Sequence, residues 1–136
     1  MIDLNVILDV IENRKEHVGF SSAVISALSR EGIPAFIPSH CVTTIHYRIS
    51  KVLGKNKADD SIDWLLEFFD VLPEDRDVFM HARKQRLNDF EDAVVASVAE
   101  LNHCNFIVTR NVSDFENSRV KSVTPAEFLQ ILDAMN

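Results

Sequence analysis

Residues 89–115 read Asp-Phe-Glu-Asp-Ala-Val-Val-Ala-Ser-Val-Ala-Glu-Leu-Asn-His-Cys-Asn-Phe-Ile-Val-Thr-Arg-Asn-Val-Ser-Asp-Phe. An acidic opening leads into residues 92–102, apolar almost all round and so predicted to form a buried helix. A short β run follows at 106–109, then a polar loop with Thr109, Asn111 and Asp114. The chain also opens on Ile2-Asp3-Leu4-Asn5-Val6-Ile7-Leu8-Asp9, an acid inside an apolar run. Carboxylates this far apart in sequence meet only if the fold joins them, and carboxylates that meet commonly bind a divalent metal.

Outward from this stretch, short apolar runs alternate with helical patterns. Strands are predicted at 2–4, 35–37, 71–72, 106–109 and 120–122. Helices are predicted at 6–12, 20–31, 39–53 (capped by Ser39), 58–69, 74–86 and 92–102, and from Pro125 onward. Gly32 and Gly54 end two of them, and Pro125 opens the last. Such alternation predicts a three-layer α/β/α sandwich with a short-stranded, mainly parallel central sheet. Sheets of this kind bind ligands beyond the carboxyl ends of their strands. Asp3 and the Thr109–Asp114 loop both fall at such ends, and the helix bearing Asp92 starts near the same edge.

Composition bounds the rest. At 136 residues the chain suits one domain, 1–136, with its own core. Mean hydropathy is near zero, and no apolar run has the roughly 18 residues of a membrane helix. No signal segment opens the chain, so a cytoplasmic protein is expected. Cys41 and Cys104 are too few for a disulfide framework and read as buried thiols. Each follows a histidine, but neither pair has zinc-finger spacing. Three glycines exclude a glycine-rich phosphate loop. A net charge of −7 argues against nucleic-acid binding by the bulk surface. Basic residues nevertheless group at Arg48, Lys51, Lys55 and Lys57, and at Arg83, Lys84 and Arg86; they read as solvated helix faces or as phosphate and acidic-partner contacts.

Each candidate residue has a plain structural role to set beside a chemical one. Asp89 suits a helix N-cap and Asp92 the capping-box position three residues later. Asp114 suits a turn after Ser113, and Asn5 suits either a helix cap or the lining of a site. Asp9 and Glu91 read as solvated acids. Asp3 is the hardest to explain structurally, because a buried carboxylate without a partner costs several kcal/mol or becomes neutral. Two carboxylates about 4 Å apart repel by on the order of 4 kcal/mol at an effective dielectric near 20. A bound Mg²⁺ or Mn²⁺ relieves that repulsion.

The two segments together resemble the PIN domain, a family of metal-dependent ribonucleases that includes VapC-like toxins. Asp3-Leu4-Asn5-Val6 stands where the family reads Asp-Thr-Asn-Val. Asp92-Ala93, Thr109-Arg110-Asn111 and Asp114-Phe115 match its late block. The resemblance implies metal ligation by Asp3, Asp92 and Asp114, with Asp89 and His46 as further ligands and Thr109 and Asn111 positioning the site. It implies Mg²⁺ or Mn²⁺ as cofactor, RNA as substrate, an antitoxin protein as partner and a homodimer. His46, in Thr43-Thr44-Ile45-His46, stands where the family has a glutamate, and no acid occurs between Glu31 and Asp59. The side chains of Asp3, Asp92 and Asp114 are expected within a few ångströms of one another with His46 facing them, and the imidazole predicts a preference for Mn²⁺. Asn111 replaces a family aspartate, and only two residues precede Asp3. Two other readings stay open: a catalytically weak RNA- or protein-binding module on the same fold, and a phosphate-transfer enzyme using Asp3 covalently.

Overall fold

The computed structural model describes residues 1–136. Two helices come first, α1 (Leu4–Ile11) and α2 (Val18–Glu31). Next come β1 (Phe36–Pro38), α3 (Ser39–Leu53), α4 (Lys55–Phe68) and β2 (Asp70–Leu72). The second half contains α5 (Arg76–Ala82), α6 (Phe90–Leu101), β3 (Phe106–Val108), a 3-10 turn (Val112–Phe115), β4 (Lys121–Val123) and α7 (Pro125–Met135).

β1 pairs in parallel with β2, and β3 with β4. The opening residues join the two pairs. The Ile2 N–H donates to the Phe36 carbonyl at 2.9 Å, while Asp3 N–H and Val108 N–H donate to Val108 and Met1 carbonyls, both at 2.9 Å. Met1–Asp3 therefore runs between β1 and β3, parallel to β3 through the Ile2–Val108 bridge. Successive strand residues face opposite sides. Ile2, Ile37, Val108 and Val123 enter one core with Val6, Val24, Ile45, Leu65 and Phe128 from α1, α2, α3, α4 and α7. Met1 and Ile107 enter a second core with Val78, Val95, Val98 and Phe115 from α5, α6 and the 3-10 turn. The result is the expected three-layer arrangement, with apolar strands covered on both faces.

Local chemistry moves several boundaries. The expected strand at 2–4 is one bridge residue, because Asp3 caps a helix that begins at Leu4. Asn5 is thus inside α1 and is not its cap. The expected helix at 74–86 shrinks to Arg76–Ala82: Asp75 caps it, accepting from Val78 N–H at 3.1 Å. Ser39 does not cap α3 through its side chain; it is the first helical residue, and its hydroxyl donates to Glu74 Oε2 at 3.0 Å. Gly54, at φ 90°, turns the chain so that α4 starts at Lys55, three residues before the apolar periodicity suggests.

Candidate functional site

Asp3 lies at the carboxyl end of the central segment and is only 8% exposed. Its Oδ1 accepts from Leu4 N–H at 2.9 Å. Its Oδ2 accepts from the Thr109 hydroxyl at 2.8 Å and from Asn5 Nδ2 at 3.1 Å. The Asn111 N–H donates to Thr109 Oγ1 at 3.0 Å, and the Arg110 N–H to Asn5 Oδ1 at 3.4 Å. The loop after β3 is thereby keyed to the Asp3 carboxylate. A carboxylate has about four acceptor positions, so Asp3 is held in place with one left on Oδ1. Burial raises its pKa, the hydrogen bonds from Thr109 and Leu4 oppose that rise, and the charges of Glu91 and Asp114 add to it.

Asp92, in the first turn of α6, has its pKa raised to about 7. Burial is the main cause, followed by Asp89, Asp3, Asp114 and Glu91. Asp114 sits in the 3-10 turn facing Asp92 across a cavity of about 140 Å³, lined by Asp89, Asp92, Asp114 and Glu116 and bordered by Arg86 and Asn117. Asp89 keeps its structural role, its Oδ1 accepting from Asp92 N–H at 3.0 Å as the cap of α6. Asn111 is exposed at the rim, whereas Thr109 is fully buried. Asp3, Asp92 and Asp114 thus share one sheet edge and feel one another's charge.

The expectations for His46 and Asp9 need correction. His46 does not face these carboxylates. Its Nε2 lies 2.8 Å from Asp59 Oδ1 on α4, and its Nδ1 lies 3.4 Å from Ser50 Oγ. Seven residues of helix separate it from Ser39, roughly 10 Å at 1.5 Å per residue, so it has left the sheet edge. Glu91 is exposed, as expected, with its side chain 54% accessible, yet its charge reaches Asp3, Asp92 and Cys41, and its Oε1 lies 3.6 Å from His40 Nε2. Asp9 is no surface acid, being 0% exposed. It accepts from Ser21 Oγ at 2.9 Å and Arg110 Nε at 2.8 Å, with Arg14 Nη1 at 3.5 Å. Its place on the apolar stripe of α1, three residues after Val6, was a usable signal. No spacing rule links His40 to Glu74, 34 residues apart, whose contact the fold alone creates.

The donor set fits a hard divalent cation, being buried or crowded carboxylates whose ionisation neighbouring charges oppose. The arrangement is open. No three histidine, cysteine, aspartate or glutamate side chains stand close enough to enclose an ion, so the expected convergence of Asp3, Asp92 and Asp114 into a tight cage is not seen. This suits Mg²⁺-like ions, which keep several waters and use one or two carboxylates plus substrate phosphate.

A family model described as "PIN domain" matches residues 1–113. Ribonuclease VapC1 of Aquifex aeolicus (strain VF5) is 23% identical over 134 residues, covering 95% of this chain and 92% of that protein. Among solved structures, VapBC2 from Rickettsia felis, bound to a DNA fragment from their promoter, superposes with a TM-score of 0.73 at 16% identity. That alignment covers 91% of this chain and 96% of the other, and at this identity it speaks for the fold.

Proposed function

We propose, from the premise that this chain belongs to the PIN domain family, that it is a metal-dependent endoribonuclease and the toxin half of a toxin–antitoxin pair. The observation that carries this reading is the buried Asp3 carboxylate, set among Asp92, Asp114 and Glu91 with no cation of its own. The similarity to a protein named as a ribonuclease supports RNA as the substrate. The likeness to a protein solved as VapBC2 supports an antitoxin partner, and a homodimer is part of the same reading.

Asp3, Asp92 and Asp114 would hold Mg²⁺ or Mn²⁺, with Asp89 beside them. The ion supplies positive charge that polarises the phosphodiester and makes water a better nucleophile near neutral pH. The remaining work falls to the chain. Thr109 and Asn5 fix the Asp3 oxygens through hydrogen bonds of 2.8 and 3.1 Å. Asn111, exposed nearby, would contact the RNA backbone. Burial and neighbouring acids raise the pKa of the half-buried Asp92 to about 7, and a bound cation would lower it again. No side-chain nucleophile is required, and Asp3 is held by three hydrogen bonds instead of standing free to attack phosphorus.

The open ligand geometry favours one second reading, an RNA- or protein-binding module with little activity. A labelled single-stranded RNA incubated with Mg²⁺ or Mn²⁺ separates the two. Cleavage by wild type that falls at least about a hundredfold in Asp92→Asn, roughly 2.7 kcal/mol of barrier, supports the nuclease. Binding without cleavage in either metal supports the module.

A further inference from the structure

On α3, the imidazole that meets the acidic edge is His40, one turn and a half before the one its sequence pattern favours. Glu74, which follows β2, has a side chain only 4% exposed. It accepts from the Ser39 hydroxyl at 3.0 Å and from the His40 backbone N–H at 2.6 Å. His40 Nδ1 lies 2.9 Å from each Glu74 oxygen. A carboxylate accepting this many donors leaves Nδ1 to carry the hydrogen. In the neutral ring Nε2 then bears the lone pair. Nε2 points away from Glu74 toward Glu91 Oε1 at 3.6 Å, with the weakly bonding Cys41 Sγ at 3.8 Å.

We propose that His40 Nε2 and Glu91 form a two-ligand divalent-cation subsite beside the Asp3–Asp92 edge, with Glu74 as the positioning residue that sets the imidazole tautomer. The inference rests on the reading that this edge binds a divalent cation. Two separate features support it. A metal-bound histidine almost always gives its other ring N–H to a carboxylate or carbonyl, which fixes its tautomer and orientation. Ligands about 2.0–2.2 Å from one ion stand roughly 3.0 Å apart at the right angle of an octahedral site, and the half-exposed Glu91 side chain, now 3.6 Å from Nε2, closes to that separation by moving about 0.6 Å. Glu91 also connects the subsite to the main cluster, since its charge acts on both Asp3 and Asp92. Water and a substrate phosphate oxygen would complete the coordination. An imidazole nitrogen tilts such a subsite toward Mn²⁺ over Mg²⁺.

The competing account is a protonated His40 merely ion-paired with Glu74 and Glu91, which predicts no role in ion binding. The test uses the full chain without RNA. Mn²⁺ binding is titrated by electron paramagnetic resonance and by calorimetry for wild type, His40→Gln, Glu91→Gln, Glu74→Gln and Asp92→Asn, and Mg²⁺ binding by calorimetry alone. The expected result is a tenfold or greater loss of Mn²⁺ affinity in His40→Gln and Glu91→Gln. Glu74→Gln should lose affinity in the same direction, and Mg²⁺ affinity should fall less in His40→Gln. In wild type, substoichiometric Mn²⁺ should broaden the His40 ring resonances before those of His46. Absence of that broadening overturns the subsite even if a variant fails to fold. Unchanged Mn²⁺ affinity in His40→Gln, or an unbroadened His40 signal, overturns the subsite. If Asp92→Asn alone loses Mn²⁺, the subsite fails and the nuclease reading stands. If no form binds either ion, both fail.

Discussion

Asp3 and Asp9 lie six residues apart at the two ends of one short helix, and both are buried, yet they answer burial in opposite ways. Asp9 is surrounded by cations and a hydroxyl: Arg110 at 2.8 Å, Arg14 at 3.5 Å and Ser21 at 2.9 Å. Asp3 receives only neutral donors, and its nearest charged neighbours are acids. The first carboxylate is internally compensated. The second has its charge opposed, so it takes up a proton more readily unless a cation is supplied. The difference separates a structural acid from a candidate site acid without reference to either one's position in the sequence.

The largest effect should come from breaking the compensated acid. Asp9→Ala strands Arg110 and loosens the loop that carries Thr109. Stability should fall by about 3 kcal/mol, as when one partner of a buried pair is removed, measured by urea denaturation. A loss below about 0.5 kcal/mol would mean that the arginines re-solvate freely and that the contrast with Asp3 is empty. Asp3→Asn should do the reverse in chelator. It keeps a competent cap and removes one member of a repelling set, so stability should rise by roughly 1 kcal/mol or more. Millimolar Mn²⁺ should then stabilise wild type and leave the variant unchanged. A variant that melts with wild type in both conditions would remove Asp3 from any ion site.

The pH dependence of the same edge gives a subtler check. The folded pKa of Asp92, about 7, lies above its ordinary 3.8. The stability associated with its protonated form is therefore complete below pH 3.8 and is lost as pH rises through about 7. In metal-free buffer the melting-temperature difference between Asp92→Asn and wild type should be near zero at pH 4 and grow in the variant's favour up to pH 7–8. A flat difference profile would show that Asp92 does not feel its neighbours. The smallest effect belongs to His46. Its ring nitrogens are engaged by Asp59 and Ser50, so His46→Ala and His46→Glu should leave Mn²⁺ affinity and Mg²⁺-dependent cleavage within about twofold of wild type, the scatter expected of surface changes. A clear gain in Mg²⁺-dependent cleavage by His46→Glu would return that position to the site.

Legibility in the sequence followed the range of the interactions. The stripe of α6, the cap at Asp89 and the apolar triplet of β3 are local patterns, and each appears where it was expected. Asp3, Asp92, Thr109 and Asp114 could be nominated because strand ends imply a common edge, and their placement there agrees with that rule. The expectation for His46, which came from the resemblance, failed locally: its ring lies against Asp59 and Ser50, and His40 of the same helix is the histidine near Glu91. The start of α5 and the fate of Asp9 failed likewise, because Glu74, Arg110 and Arg14 compete for partners that periodicity does not register.

Alone, the amino-acid sequence determined the alternation of helices and three-residue strands, the two-sided burial of the sheet and the family to which the chain belongs, because propensity, period and motif spacing act over a few residues. Only the tertiary structure decided which charges are neutralised and which are left facing one another. Hydrogen bonds and Coulomb interactions fall off over a few ångströms of space, whatever the separation along the chain. Thr109 and Asp3, 106 positions apart, are 2.8 Å apart in the fold, whereas His46, in the expected motif position, lies against Asp59 instead.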